Sequence, residues 1–420
     1  MSFSRRAALL IAALPWGYAC AAVLGVDDIG YARATDAGAA DSHVATDASF
    51  DSGTDGATGI ADGGSDNAVA CTPDLPSVHD NPNTQYATCG SEPSVDLFNR
   101  SDHCGRCGHS CVIQNDCVNG YCVPVPLTPL NAGEGTTTFV EGGYVYWVAN
   151  YTLGRTSVNA QEGDIGEPVI DFPLPEAGDP VGEYILHAAD RSPDSFFVGA
   201  LYSATSVQRD GGTWRSFTVG SKVEGVVADP LGLAFTAPPA VARVDLAGNK
   251  LETLSNEPGQ VVPHELVRSR NNLLWTVRGD GPDAGGSIKR HDGNTGHVLA
   301  LDAGFPTALA TDGEYVYWGD SSSGRVWRLS ESAPASTAPE LVAEDGTLPY
   351  VLGIAVDATH VYWIAALDLY QAVLFRRAKC GGAISVVTSL LQYPHGLVTS
   401  DDGFLFYTTI NPTQVQRVAK

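Results

Sequence analysis

Tyr315-Val316-Tyr317-Trp318-Gly319-Asp320, followed after a Ser-Ser-Ser-Gly step by Arg325-Val326-Trp327-Arg328-Leu329, decides how this chain is read. Short runs of β-branched and aromatic residues, broken by small turn residues, predict two antiparallel strands. The first run recurs as Tyr144-Val145-Tyr146-Trp147, Phe196-Phe197-Val198, Leu233-Ala234-Phe235, Leu273-Leu274-Trp275, Val361-Tyr362-Trp363 and Phe404-Leu405-Phe406-Tyr407. Measured between the last residues of successive copies, the steps are 51, 37, 40, 43, 45 and 44. A period of this length built from short strands and turns is the pattern of β-propeller blades, each a sheet of four antiparallel strands. The expected fold is therefore all-β: a propeller of seven four-stranded blades.

Each copy keeps one internal order. An apolar strand such as Gly353-Ile354-Ala355-Val356 comes first, then a turn such as Asp357-Ala358-Thr359-His360, then the aromatic strand. A third strand follows, as in Arg325–Leu329, and a fourth, as in Glu340-Leu341-Val342-Ala343. Asp190, Asp229, Asp312, Asp357 and Asp401 stand at the first turn, where an Asx side chain accepts backbone N–H groups. The aromatic residue closing the second strand is expected to pack between blades. The seventh copy ends at Lys420 without a fourth strand, which would leave an open sheet edge. Val123-Pro124-Val125-Pro126-Leu127-Thr128-Pro129-Leu130 suits the missing outer strand, since an edge strand tolerates proline. Residues 123–131 are thus expected to pair beside 413–418 and close the ring, making 123–420 one propeller domain.

These repeats resemble bacterial propellers with YWTD-like and NHL-like blades, through Val316-Tyr317-Trp318-Gly319-Asp320 with Arg325-Val326-Trp327-Arg328, and Val361-Tyr362-Trp363 with Phe375-Arg376-Arg377. The resemblance implies a fold more than a function.

Upstream of the propeller the chain changes character three times. Residues 1–20 carry Arg5-Arg6, an apolar run from Ala7 to Leu14, and Pro15-Trp16-Gly17-Tyr18-Ala19-Cys20. That is an export signal, too short to span a membrane. Ala19-Cys20 resembles a bacterial lipobox, although Gly17 and Tyr18 depart from its usual residues. The resemblance implies lipidation of Cys20 and an outer-membrane or cell-surface lipoprotein; ordinary cleavage near Ala21 would give a secreted one. Residues 21–70 turn into a low-complexity acidic stretch, rich from Ala34 onward in Asp, Ala, Gly, Ser and Thr, with no Lys or Arg there. Such a composition cannot offset its ordering entropy and reads as a self-repelling tether.

Residues 71–122 hold seven of the nine cysteines: Cys71, Cys89, Cys104, Cys107, Cys111, Cys117 and Cys122. Behind an export signal they are expected to form disulfides, which a segment this small and this poor in large apolar groups needs. Zinc held by Cys104, Cys107, His103, His109 and Cys111 is the competing reading. An odd number leaves one cysteine free, paired with Cys380, or paired between molecules. Cys104-Gly-Arg-Cys107-Gly-His-Ser-Cys111 resembles the modules of bacterial secreted proteins and of stigma-specific plant proteins, which implies no catalysis.

The whole chain of 420 residues carries a net charge of -24, so nucleic acid is not an expected partner. In a propeller the first strand of each blade lines the central channel, and the repeats align Thr136, Ile185, Glu224, His264, Thr307, Leu352 and His395 at its mouth. Glu224, His264 and His395 are the candidate ligand site, and Glu265 is expected on the opposite side of its strand from His264. Two histidines and a carboxylate could hold a divalent metal or exchange protons, but no cofactor is expected from any motif. Pro394-His395-Gly396 resembles a step in streptogramin lyases, whose regular glycine-rich repeats are largely missing here. No Gly-x-Ser-x-Gly, Walker loop or His-Glu-x-x-His is present. Two functions follow: a surface-tethered, non-catalytic propeller that binds a protein or glycan, touching the membrane only through its lipid, or an extracellular metal-assisted lyase or hydrolase.

Overall fold

A computed structural model describes residues 85–111, 116–130, 135–171, 186–200, 202–210, 214–219, 221–245, 251–256, 262–270, 272–279, 285–293, 296–344, 348–368, 372–391, 394–400, 402–410 and 412–420. The export signal, the tether, Cys20, Cys71, Ile185 and Asp401 lie outside the described residues.

Seven four-stranded antiparallel sheets follow one another along the chain. Blades 1 to 6 occupy residues 135–171, 186–218, 225–256, 262–300, 306–344 and 350–391, each with its strands in chain order from the inside outward. The first strands of neighbouring blades touch in one closed round, so they form the innermost ring. Among the described residues there is no helix.

Blade 7 joins the two ends of the domain. Pro394–Thr399, Phe404–Ile410 and Thr413–Ala419 supply three strands, and Val125–Pro129 supplies the fourth. Val415 lies opposite Thr128 and Arg417 opposite Val125, with a bulge between Val415 and Gln416. Pro126 and Pro129 are accommodated because, among the described residues, no strand pairs with the outer side of this one. The expected closure by strand exchange is thus present.

The residues that close the recurring aromatic runs are interior. Trp147, Val198, Phe235, Trp275, Trp318, Trp363 and Tyr407 are all buried. They pack between blades: Trp275 lies with Val227 and Ala234 of blade 3, Trp318 with Leu274 of blade 4, and Trp363 with Tyr317 of blade 5. Trp147 is held by its indole N–H, which donates to Thr156 Oγ1 at 3.0 Å. Its ring covers Gly154 directly opposite, where even a methyl group would sit 2.2 Å from a ring carbon.

The first-turn aspartates act as the repeat predicts, and they also cross between blades. Asp312 Oδ1 accepts the N–H groups of Glu314 and Tyr315, while its Oδ2 accepts the Tyr317 hydroxyl and Lys379 Nζ of blade 6. Asp357 repeats the arrangement with Thr359, His360, Tyr362 and Lys420 of blade 7. Burial alone would raise the Asp357 carboxyl, but Lys420 and the two amides outweigh it and hold the group well below the usual carboxylate range.

The cysteine module forms two short hairpins, Tyr86–Cys89 with Glu92–Asp96 and Cys117–Val118 with Tyr121–Cys122. Disulfides join Cys89 to Cys107, Cys104 to Cys117, and Cys111 to Cys122. Cys89, His103 and Cys107, and likewise Cys104, Cys111 and Cys122, are close enough to suggest zinc, yet all five cysteines are oxidised. Cys380 is disulfide-bonded as well, outside these three pairs. Cys104, Cys111, Cys117 and Cys122 share one apolar cluster with Tyr362, Leu374, Val387, Leu391 and Tyr407, so the module is stapled internally and packed against blades 6 and 7.

Candidate functional site

The start of each inner strand decides what faces the channel mouth. A regular strand would send successive side chains to opposite sides. Here the inner strands of blades 1, 2, 4, 5, 6 and 7 each carry a register shift near their start, between Thr137 and Phe139, Leu186 and Ala188, Pro263 and Leu266, Pro306 and Ala308, Val351 and Gly353, and His395 and Leu397. Such bulges re-aim side chains and are found beside functional sites. They need polar partners for the freed backbone groups, and second-strand threonines provide several. Thr236 donates to the His264 carbonyl at 2.7 Å, Thr408 donates to the His395 carbonyl at 2.9 Å, and Thr276 Oγ1 accepts the Glu265 N–H at 3.1 Å.

In blade 4 the bulge contains both His264 and Glu265. Their side chains are neighbours, with His264 Nδ1 3.7 Å from Glu265 Oε1, which corrects the expectation that Glu265 points away. Glu224, just before the inner strand of blade 3, pairs with Lys222 at 3.1 Å. A fifth member comes from the end of the second strand of blade 4. Arg278 is buried to all but 9% of its surface, stacks 5.6 Å over the Phe305 ring, and interacts electrostatically with Glu224 and Glu265. It makes no ion pair or hydrogen bond with either. Lys222, Glu224, His264, Glu265 and Arg278 thus form one charged arc on the adjacent blades 3 and 4.

Enclosure by the channel walls sets the protonation of this arc. Burial, then the cations Arg278 and Lys222, hold His264 well below its ordinary value, so the ring is neutral. Its Nδ1 is sealed from solvent without a hydrogen-bond partner. Burial first, and the Glu224 charge second, push the Glu265 carboxyl up to about 7 against the opposing pull of Arg278. Glu265 retains 39% of its side-chain surface, so water still reaches it along the channel. Burial depresses Arg278 while both carboxylates favour its charged form.

The other candidates are more isolated. His395 is pushed down to about 4 by burial alone. The ligand atoms of Glu224, His264 and His395 do not gather within 4.8 Å of one another, so the structure does not assemble them into one metal shell. Thr307 is engaged with the Ser321 hydroxyl and the Val351 carbonyl, both at 2.6 Å. A second hollow lies between blades 5 and 6 around Arg328, Val342, Arg377 and Lys379. Its cations are already bonded, Arg328 to Glu340 and Lys379 to Asp312.

Sequence alignment of the blades located Glu224 and His264 but missed Glu265, Arg278 and Lys222. Glu265 is exposed as a candidate only by the bulge, and Arg278 only by the neighbouring blade. The one available signal was an arginine ending an otherwise apolar run, Leu273-Leu274-Trp275-Thr276-Val277-Arg278.

Comparison with known proteins agrees with these two parts. The profile of the stigma-specific STIG1-like protein family matches residues 68–147, which hold the cysteine module and the first strands of blade 1. No curated protein matches the chain. The Cps50 (Swd1) β-propeller domain of Myceliophteria thermophila superposes with a TM-score of 0.54 at 10% identity, covering 71% of this chain and 100% of that one. The computationally designed Ika8 protein gives a TM-score of 0.47 at 14% identity, over 70% of this chain and 100% of that one. A nidogen/laminin complex chain gives 0.45 at 16% identity, over 61% of this chain and 98% of that one. At these identities the likeness to Cps50 speaks for the propeller fold alone.

Proposed function

We propose that this protein is a non-catalytic binding propeller of the bacterial cell envelope, with its ligand seated at the channel mouth on blades 3 and 4. In this reading residues 1–20 direct export, lipid on Cys20 anchors the chain, and residues 21–70 space the folded part from the membrane. The partner is a protein or glycan of the cell surface, and nucleic acid is disfavoured by the charge of -24.

The observation that carries the binding site is Arg278. Arg278 is nine-tenths buried as a residue, and its guanidinium has no hydrogen-bonded or ion-paired partner among the described residues, so its donors stay available at the channel wall. A ligand group can supply the missing partner. The oxidised cysteine module is compatible with export, since disulfides of this density belong to oxidising compartments.

A glycan array probed with the full chain, beside the His264→Ala and Glu224→Gln variants, tests the site. Binding that both variants lose supports it; binding that neither alters removes the channel mouth. Accumulation of cleaved product from the bound glycan, absent in His264→Ala, would overturn the non-catalytic reading. Palmitate labelling and membrane fractionation of Cys20→Ser test the anchor, with loss of both label and membrane association expected.

A further inference from the structure

The charged arc has an uneven balance. Lys222 and Glu224 neutralise each other at 3.1 Å, and His264 is neutral, which leaves Arg278 facing Glu265. Neither residue completes the other, since no hydrogen bond or ion pair joins them. The guanidinium offers a planar fork of donors that fits a carboxylate with two parallel bonds. A phosphate dianion would carry a second charge toward Glu224 and Glu265, whereas a carboxylate carries one.

We propose that the blade 3–4 rim recognises the carboxylate of a uronic-acid residue, with Arg278 as its fork and Glu265, His264 and Glu224 as partners for the carboxyl and neighbouring hydroxyls. This rests on the binding-propeller reading given above. A saccharide is favoured over a peptide because the arc offers polar atoms in several directions, while the apolar group packed against it is Phe305. The net charge of -24 repels polyanions, so the fit is to a single uronate among neutral sugars.

Binding of this kind is coupled to a proton. Facing Glu265 are His264 in its own bulge, Arg278 on the adjoining strand, and Glu224 with Lys222 on blade 3. A bound carboxylate adds negative charge beside Glu265 and favours its protonated form, which then donates a hydrogen bond to the ligand. Because Glu265 titrates at about 7, affinity rises as pH falls through that value. If only the protonated form binds, the change between about pH 6 and about pH 8 is roughly tenfold.

Isothermal titration of the full chain with methyl glucuronide, beside methyl glucoside and tri-alanine, tests the proposal. The expected result is binding of the glucuronide alone, weakened at least about tenfold in Arg278→Ala, since a charge-assisted hydrogen bond is removed. Arg278→Lys keeps the charge and the stem but not the fork, and should fall between the two. Glu265→Gln, which mimics the protonated acid, should bind equally at both pH values. Melting curves of the two conservative variants keep the test independent of any folding defect in Arg278→Ala. Equal binding of the glucoside, binding of tri-alanine in place of the glucuronide, or unchanged affinity in a folded Arg278→Lys overturns the uronate. A neutral sugar bound at the rim and lost in Glu224→Gln would do so while leaving the binding propeller standing.

Discussion

The exchanged strand of blade 7 makes a quantitative prediction through Leu127. Its side chain is fully buried, in one cluster with Val125, Leu130, Val145, Trp147, Phe406 and Val415. Those neighbours come from both sides of the closure, the two ends of the domain and blade 1. Leu127→Ala removes that contact and leaves a cavity, which costs about 3 kcal/mol at a buried leucine. Unfolding entropy of about 2.1 cal/mol/K per residue over about 300 residues makes this a fall of about 5 °C in Tm. Differential scanning calorimetry reads that shift directly. Val415 lies in the same cluster, so Leu127→Ala and Val415→Ala should combine non-additively, by more than about 0.5 kcal/mol. Deleting residues 123–131 removes Val125, Leu127 and Leu130 together and unpairs the last strand, Thr413–Ala419. Each apolar side chain contributes about 1.5–3 kcal/mol, so the deletion should cost about 6 kcal/mol or more, a large part of a typical domain's stability. A deletion variant melting within about 2 °C of the full chain would refute strand exchange as the closing device.

Other measurements bear on the remaining features. Lys420→Ala should lower stability at neutral pH by about 1 kcal/mol, because Asp357 loses a partly buried partner. That stabilisation belongs to a depressed carboxyl, so it is present above about pH 4 and lost as pH falls further; the variant and the full chain should converge in acid melts. His395 and Glu265 pull in opposite directions. The histidine, lowered to about 4, makes folding less favourable as pH falls below its unfolded value of about 6.5, while the carboxyl, raised to about 7, makes it less favourable as pH rises above about 4.5. His264 and His291, which burial also holds below the ordinary histidine value, act with His395 and together outweigh the carboxyl, so stability should fall as pH falls from about 6.5 to about 5, and His395→Asn should flatten that fall. Alkylation of the unreduced, denatured chain should leave Cys89, Cys104, Cys107, Cys111, Cys117, Cys122 and Cys380 unmodified; reduction should lower the Tm of the propeller too, since four of these sulfurs lie in its apolar cluster.

Repetition is what made the fold legible. Seven aromatic strands at nearly constant spacing, each preceded by an apolar strand and a turn, leave few architectures other than a ring of blades. The absent fourth strand of the last copy and the Pro-spaced apolar run at 123–130 even identified the closure, because an unpaired edge demands a partner. The disulfide class was legible from density and context, but its pairing was not, since spacing constrains which sulfurs can meet only weakly.

The candidate site was legible in half. Alignment finds residues that occupy the same place in each blade, and so it found Glu224 and His264. It is blind to a register shift, which moved Glu265 to the side of His264, and to a contact between the end of one strand and the start of another, which brought Arg278 beside both. The sequence by itself determined the blade count, the antiparallel order and the buried aromatic ring, because these follow from periodic burial of apolar groups, a property each repeat carries locally. Only the tertiary structure decided which charges meet at the channel and with what protonation. Those depend on distances and solvent exclusion between blades, and neither is written in the spacing along one chain.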